Sequence, residues 1–224
     1  MMKRFKCADL FCCGGGAAVG LHRAGFDLVG WDIRPQKHYP FEFRLGNALE
    51  ADLTGFDFVW ASPPCQAYTQ AAMSQRNAGK VYPDLMAATR DKLIASGLPF
   101  IIENTPGAPM RVDVILCGSM FGLNTIRHRW FEIGFPFYAL TPTCQHPKNP
   151  CVVVGHGTTS WARKRNGGKC HTIEENRAAM GIDWMNRDEL SQAIPPAYSE
   201  WLGRFAYEHL MSNLAPIDNS GPLG

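Results

Sequence analysis

No stretch of this 224-residue sequence approaches the roughly 20 consecutive apolar residues that a membrane-spanning helix needs. The opening Met1-Met2-Lys3-Arg4-Phe5-Lys6-Cys7-Ala8-Asp9 also lacks the long apolar segment of a secretory signal. The expectation is a soluble, intracellular chain with no membrane partner. Net charge is nearly absent at +2, so the sum argues neither for nor against a polyanionic partner and its distribution matters more. That distribution has a gap. From Gly134 to His171 there is no Asp or Glu, while Lys148, Arg163, Lys164, Arg165 and Lys169 all fall there. Internal repeats are lacking as well. Cysteine is not scarce, at eight residues, but Cys7, Cys12, Cys13 and Cys117 sit in apolar segments of a chain without an export signal, so they read as reduced thiols.

With 46% hydrophobic residues the chain can bury one full-sized core, leaving room for a small appendage but not for a second independent domain. Phe5 to Phe11 is a β-prone run that ends in Cys12-Cys13-Gly14-Gly15-Gly16 and is followed by a helix-compatible stretch, Ala17 to Ala24, with the stop signal Gly25. Further strands are expected over Phe26 to Ile33, Phe56 to Ala61, Pro99 to Glu103 and Ile126 to Ile133, and a helix over Asp84 to Ser96 capped by Asp84. Strands alternating with helices imply an α/β fold with a mostly parallel sheet covered on both faces. Gln66 to Lys80 is polar and aperiodic and reads as a mobile loop. Past Gly134 the sequence becomes dense in Pro, Gly, Cys and His. Regular structure resumes at Thr172-Ile173-Glu174-Glu175, which fits a capping box, and closes with a helix from about Pro196 to Met211. The organisation expected is a catalytic domain over 1–133, a small lobe over 134–171, a return to the first domain over 172–212, and a disordered tail over 213–224.

Three places carry candidate chemistry. The glycine turn, Gly14-Gly15-Gly16, lies between a strand and a helix, where backbone can approach a nucleotide-like ligand, and Asp32 at the tip of the next strand can accept hydrogen bonds from a ribose. A tight turn without a ligand explains the same glycines equally well. Asn47 can bond an adenine edge or simply close a turn. Cys65, in Ser62-Pro63-Pro64-Cys65-Gln66, stands at the carboxyl end of a strand, where open α/β sheets bind ligands, and prolines stiffen the approach to it. It is a candidate nucleophile rather than an inert buried thiol, because its surroundings are polar. Glu103 ends an apolar strand at the same edge and can act as an acid, or can cap the next turn with Asn104. Arg127 and Arg129 fall on one face if the run is a strand and offer rigid donor forks; solvated strand-edge arginines are the bland alternative.

The order of these elements is more informative than any one of them. Asp9-Leu10-Phe11 with Gly15-Gly16, then Pro64-Cys65-Gln66, Glu103-Asn104 and Arg127-His128-Arg129, resembles the ordered motifs of the DNA (cytosine-5)-methyltransferases. Thr172 to Gly181 and Gln192-Ala193-Ile194-Pro195-Pro196 resemble that family's last two motifs, so the similarity spans nearly the whole chain. The resemblance implies a Rossmann-like class I S-adenosylmethionine-dependent methyltransferase domain with a small irregular target-recognition lobe. It implies Cys65 as the nucleophile toward a flipped cytosine, held by Glu103, Arg127 and Arg129. S-adenosyl-L-methionine, giving S-adenosyl-L-homocysteine, would be lined by Asp9, Phe11, Gly14, Gly15, Gly16, Asp32, Ile33, Asn47, Ala48, Pro63, Gln192 and Ala193. Double-stranded DNA is the implied partner, contacted by Gln66, by His156 and by the basic run Arg163, Lys164 and Arg165. The chain's compactness resembles stand-alone bacterial or phage enzymes, which implies a cytoplasmic monomer.

There are departures from that pattern. Cys13 stands where the family usually has a glycine, Asn47 where aspartate is usual, and Gln192 where asparagine is typical, which leaves a modified methyl donor open. The lobe is short, which predicts a short recognition target. It also holds Cys144, His146, Cys151, Cys170 and His171, but their spacing matches no standard finger, so no metal is assigned. Two other readings stay open: an RNA methyltransferase with the same chemistry, and a catalytically silent DNA-binding module.

Overall fold

A computed structural model describes residues 3–69, 72–153 and 171–214. Seven strands form one sheet: β1 (Phe5–Leu10), β2 (Phe26–Asp32), β3 (Glu42–Leu45), β4 (Phe58–Ala61), β5 (Phe100–Asn104), β6 (Val114–Leu116) and β7 (Arg129–Ile133), in the spatial order β3-β2-β1-β4-β5-β7-β6. β1 to β5 are mutually parallel, and β7 runs antiparallel to both of its neighbours. The helices are α1 (Gly16–Arg23), α2 (Met73–Asn77), α3 (Met86–Ser96), α4 (Ile173–Met180), α5 (Arg187–Gln192) and α6 (Pro196–Ser212).

The central strands are apolar because both of their faces are covered. Alternate residues divide between two cores. Cys7, Phe58, Trp60 and Ile101 join Phe131, Tyr198 and Leu202 on one face, and Ala8, Val59, Ala61 and Ile102 join Met86 and Leu93 on the other. A third, smaller cluster gathers Cys151, Val153, Met180, Met185 and Leu190. α1 and α6 pack against each other at unusually short range. A Cβ at Gly20 would lie 2.1 Å from the Pro196 carbonyl oxygen, so only glycine lets the two backbones meet there, and Ser199 Oγ donates to Ala17 O at 2.8 Å across the same contact.

Strand order reverses on either side of β1: β2 and β3 lie to one side, β4 and β5 to the other. The crevice outside the carboxyl ends of β1 and β4 is the switch point where such sheets bind ligands. Both loops that the sequence analysis singled out open there, since Ser62 N donates to Leu10 O at 3.1 Å and Cys12 N to Trp31 O at 3.0 Å, extending the ladder past the strand ends.

Several expectations need correction. The last strand starts at Arg129 rather than Ile126, so Arg127 is not in it. Gln66 to Lys80 is not wholly irregular: it contains α2, whose Arg76 Nη1 donates to Gln66 O at 2.7 Å and Thr69 O at 2.8 Å. α3 begins at Met86 with Leu85 at its N-cap, although Asp84 Oδ1 still accepts from Met86 N at 3.1 Å. β3, β6 and α5 went unforeseen. β6 is three residues long and carries no pattern of its own, but α5 had a signal: Asn186 and Glu189 form a reciprocal capping box, the same pattern that marks α4 at Thr172 and Glu175. The seven cysteines among the described residues are all free thiols. His156, Arg163, Lys164, Arg165 and Cys170 lie outside the described residues, as does the tail from 215.

Candidate active site

The antiparallel direction of β7 builds the site. Because Glu103 registers with Phe131 and Asn104 with Trp130, the beginning of β7 lies at the carboxyl end of β5. Arg129 therefore reaches Glu103: its Nε is 3.0 Å from Glu103 Oε1, with both side chains nearly buried. A buried pair of this kind costs desolvation on both sides and stabilises little by itself, which points to a use other than stability. Burial pushes the Glu103 carboxyl above its usual range, while Arg129, a hydrogen bond from Ser62 and Arg127 oppose the rise. Ser62 is itself fixed, since its Oγ accepts from Trp60 Nε1 at 3.0 Å. Trp60 to Ser62 to Glu103 is thus a chain running from the core of β4 to the carboxylate, and sequence reasoning missed the serine.

Cys65 is half-buried and within electrostatic reach of this pair. Burial raises its thiol pKa and the Glu103 charge raises it further, whereas Arg129 and Arg127 pull it back. The pKa of the Cys13 thiol in the glycine turn is raised chiefly by burial and by the Asp32 and Asp9 charges, with Cys65 adding to them. What holds the Cys65 loop is Asn104. Its Nδ2 donates to Pro63 O at 3.0 Å and its Oδ1 accepts from Thr105 N at 2.8 Å. The turn-capping role considered for Glu103-Asn104 belongs to Asn104 alone, and Glu103 faces Arg129.

Arg127 has a different role from Arg129. It is buried, and its guanidinium donates to Ala193 O at 3.1 Å and Ser191 O at 2.7 Å, at the carboxyl end of α5. Tyr198 OH donates to Arg127 O at 2.8 Å. This arginine locks the returning segment onto the sheet and adds positive charge behind Cys65. It is neither a solvated edge residue nor paired with Glu103 on a shared strand face.

On the other side of the crevice, Phe11 and Cys13 adopt left-handed backbone conformations at φ 61° and 46°, which residues other than glycine seldom do. Asp32 supports the turn: its Oδ2 accepts from Cys13 N at 3.1 Å and its Oδ1 from Arg34 N at 3.0 Å. Gly15, at φ 80°, is the N-cap of α1, and no side chain caps that helix. The missing side chains of the glycine turn make room chiefly for protein. A Cβ would meet the Met185 side chain at Gly14 (3.0 Å), Pro40 at Gly15 (2.7 Å) and the Ile194 carbonyl at Gly16 (2.3 Å). Gly14 O also accepts from Trp184 Nε1 at 2.9 Å. Ala193 comes to the same turn, its Cβ 3.4 Å from where a Cβ on Gly16 would lie, while Gln192 before it is exposed. Asp9 is buried and accepts from Tyr39 OH at 3.3 Å, and Ala48 is buried in the second core. Pro63 is buried beside Cys65. Asn47 takes its simpler reading: Oδ1 accepts from Leu49 N at 3.1 Å and Nδ2 donates to Glu50 at 2.9 Å, closing a 3₁₀ turn at Ala48–Glu50. Ile33 is 74% exposed, an unusual state for an isoleucine beside a buried Asp32.

No family model and no curated protein matches the sequence. Solved structures do. An Escherichia coli prophage-encoded protein assigned as a DNA modification methyltransferase superposes with a TM-score of 0.62 at 15% identity, covering 92% of this chain and 99% of that one. The Schizosaccharomyces pombe Dnmt2 methyltransferase gives 0.59 at 13% identity, covering 95% and 100%. The Entamoeba histolytica methyltransferase EhMeth gives 0.59 at 14% identity, covering 96% and 100%. The fold is therefore the Rossmann-like fold of the class I methyltransferases.

Proposed function

We propose that this chain is a DNA (cytosine-5)-methyltransferase using S-adenosyl-L-methionine. The observation that carries the reading is the buried Arg129–Glu103 pair at 3.0 Å beside Cys65, at the switch point of a methyltransferase sheet. A nucleophile, an acid with a raised pKa and two cationic groups are what addition to a pyrimidine ring requires.

The glycine-turn side of the crevice suits the cofactor. Asp32 can accept from ribose hydroxyls, the exposed Ile33 offers an apolar platform for a flat base, and the uncapped start of α1 presents backbone amides. When bound there, S-adenosylmethionine supplies an electrophilic methyl carbon on a sulfonium and is released as S-adenosylhomocysteine. Phe11, Ala48, Pro63, Gln192 and Ala193 complete the site in this reading, while the Asn47 amide is taken up by its own 3₁₀ turn.

The protein's own residues do the rest. Cys65, as the thiolate, adds to C6 of a cytosine turned out of the helix, and the C6 bond makes C5 nucleophilic. Protonated Glu103 donates at N3, offsetting the charge that addition places on the ring, while Arg129 orients Glu103 and the base carbonyl. After C5 has accepted the methyl group, loss of its proton to water expels Cys65 as the thiolate, and N3 returns its proton to Glu103, restoring the aromatic ring. DNA lies between the domain formed by 1–133 with 172–212 and the lobe at 134–171, where Arg163, Lys164 and Arg165 neutralise phosphates and Gln66 and His156 approach the bases. A cytoplasmic monomer is sufficient for this activity. The assignment of the prophage neighbour favours DNA over RNA as the substrate.

Incubation with labelled S-adenosylmethionine and either duplex DNA or tRNA tests the proposal. Label is expected in DNA cytosine and absent with Cys65→Ser, and duplex containing 5-fluorocytosine is expected to trap the enzyme covalently. Label in tRNA alone moves the reading to an RNA methyltransferase. No transfer to either, with DNA binding retained, makes the chain a silent binding module.

A further inference from the structure

We infer that Cys117, His128, Cys144 and His146 form a tetrahedral zinc site that clamps the entry to the recognition lobe onto the edge of the active site. One ligand atom from each of the four, two Sγ and two ring nitrogens, lie within 4.8 Å of one another. Zinc bonds of about 2.3 Å to sulfur and about 2.0–2.1 Å to nitrogen set tetrahedral ligand atoms about 3.3–3.8 Å apart. Cys144 Sγ is 2.8 Å from His146 Nε2 and 3.6 Å from His128 Nε2, so little movement is needed. The His128 and His146 rings meet edge to face at 5.2 Å, and Ser119 Oγ bridges the sulfurs at 3.5 Å from Cys117 and 3.4 Å from Cys144. A two-sulfur, two-imidazole tetrahedron selects zinc over harder cations.

The topology explains why they meet. β6 ends at Leu116, which registers with Arg129, so Cys117 and His128 emerge side by side at one sheet edge. Cys144 and His146 come down to them from a chain that has no helix or strand between Gly134 and Val153. Its ends are held, by Phe135 and Phe137 against the core and by Cys151 and Val153 in the third cluster, but the stretch between them has little else to hold it. Tyr138 and Leu140 are almost fully exposed. Among the described residues, the hydrogen bonds and ring contacts of 138–150 with the rest of the protein all run through Cys144 and His146. A long irregular segment without a core of its own is where a metal clip adds most order. On binding, Cys117 and Cys144 each release a proton to solvent and the histidines bind neutral, so the two thiolates balance the ion's charge. The site also abuts the chemistry: His128 separates Arg127 from Arg129, and Arg129 Nη1 donates to His128 O at 2.9 Å.

The test uses the full chain, purified reduced, without chelator and with any histidine tag removed. Elemental analysis should find about one zinc per chain. Exchange with cobalt(II) should give the visible absorption of a tetrahedral thiolate site, and both signals should be lost in Cys144→Ser and in His146→Ala. These two partly exposed positions are chosen because Cys117 is buried and its variant could fail to fold for other reasons. Chelation should accelerate hydrogen exchange over 138–148 while leaving β1 and β4 protected. The inference is overturned if zinc titrated against a chromophoric chelator binds the natural chain no more tightly than the Cys144→Ser/His146→Ala double variant. Recovery of a Cys117–Cys144 disulfide from protein kept reduced overturns it as well. Neither result depends on whether the chain methylates DNA.

Discussion

Arg129 Nε lies 3.0 Å from Glu103 Oε1 in a nearly dry site, and both groups act on the Cys65 thiol with opposite sign. Removing the carboxylate charge favours the thiolate, and removing the guanidinium disfavours it. In DNA-free enzyme, Glu103→Gln should therefore lower the pH at which Cys65 becomes alkylated, and Arg129→Ala should raise it. Peptide mass spectrometry after timed iodoacetamide labelling reads both. Both variants should also lose methyl transfer, by about 10²–10⁴-fold for the acid. Shifts of the same sign in the two variants would refute the arrangement.

Asn104 should matter for turnover without touching the base. Asn104→Ala removes the bond to Pro63 O and leaves a buried carbonyl unpartnered, a cost of about 1–3 kcal/mol. Lower thermal stability is expected, along with a fall in kcat that exceeds any change in cofactor affinity, because the Cys65 loop loses its tie to β5. Thermal melts and steady-state kinetics separate the two effects. An unchanged kcat would show that the loop holds its place without Asn104.

Gly20→Ala sets two effects against each other. Alanine gains about 0.8–1.0 kcal/mol of helix propensity over glycine. Its Cβ, however, would lie 2.1 Å from Pro196 O and 2.2 Å from Ser199 Oγ, where overpacking costs about 1–3 kcal/mol and backbone cannot yield cheaply. The clash wins, and a lower Tm is expected. Gly46→Ala, with nothing within 4 Å of the new carbon, is the control and should be nearly neutral.

Asp9 gives a pH dependence of known sign. Its carboxyl is pushed from 3.8 to about 8, first by burial, with the Tyr39 hydrogen bond opposing and the Asp32 charge assisting. Between those values the folded chain holds a proton that the unfolded chain has released, so stability falls as pH rises from 3.8 toward about 8. Asp9→Asn abolishes this contribution. The Tm advantage of the variant over the natural chain should grow across that interval, as calorimetry at several pH values would reveal, and a constant gap would contradict it.

Local signals carried much of this protein. Apolar runs of the right length marked β1, β2, β4 and β5, the Thr172 box marked α4, and two prolines marked the loop that carries Cys65. Each depends on neighbours in sequence, through side-chain period, backbone φ or a reciprocal cap, so one stretch suffices to read it. Strand order and direction are not local. Only the reversal of β7 sets Arg129 against Glu103, and only the return of α5 takes the Arg127 guanidinium away to Ala193 and Ser191. The Cys117, His128, Cys144 and His146 cluster is drawn from three separate segments, so no spacing rule could foresee it. The chain alone determined which residues have suitable chemistry and at which strand ends they stand. The tertiary structure decided which of them meet, because partners in a sheet are chosen by packing across the whole core.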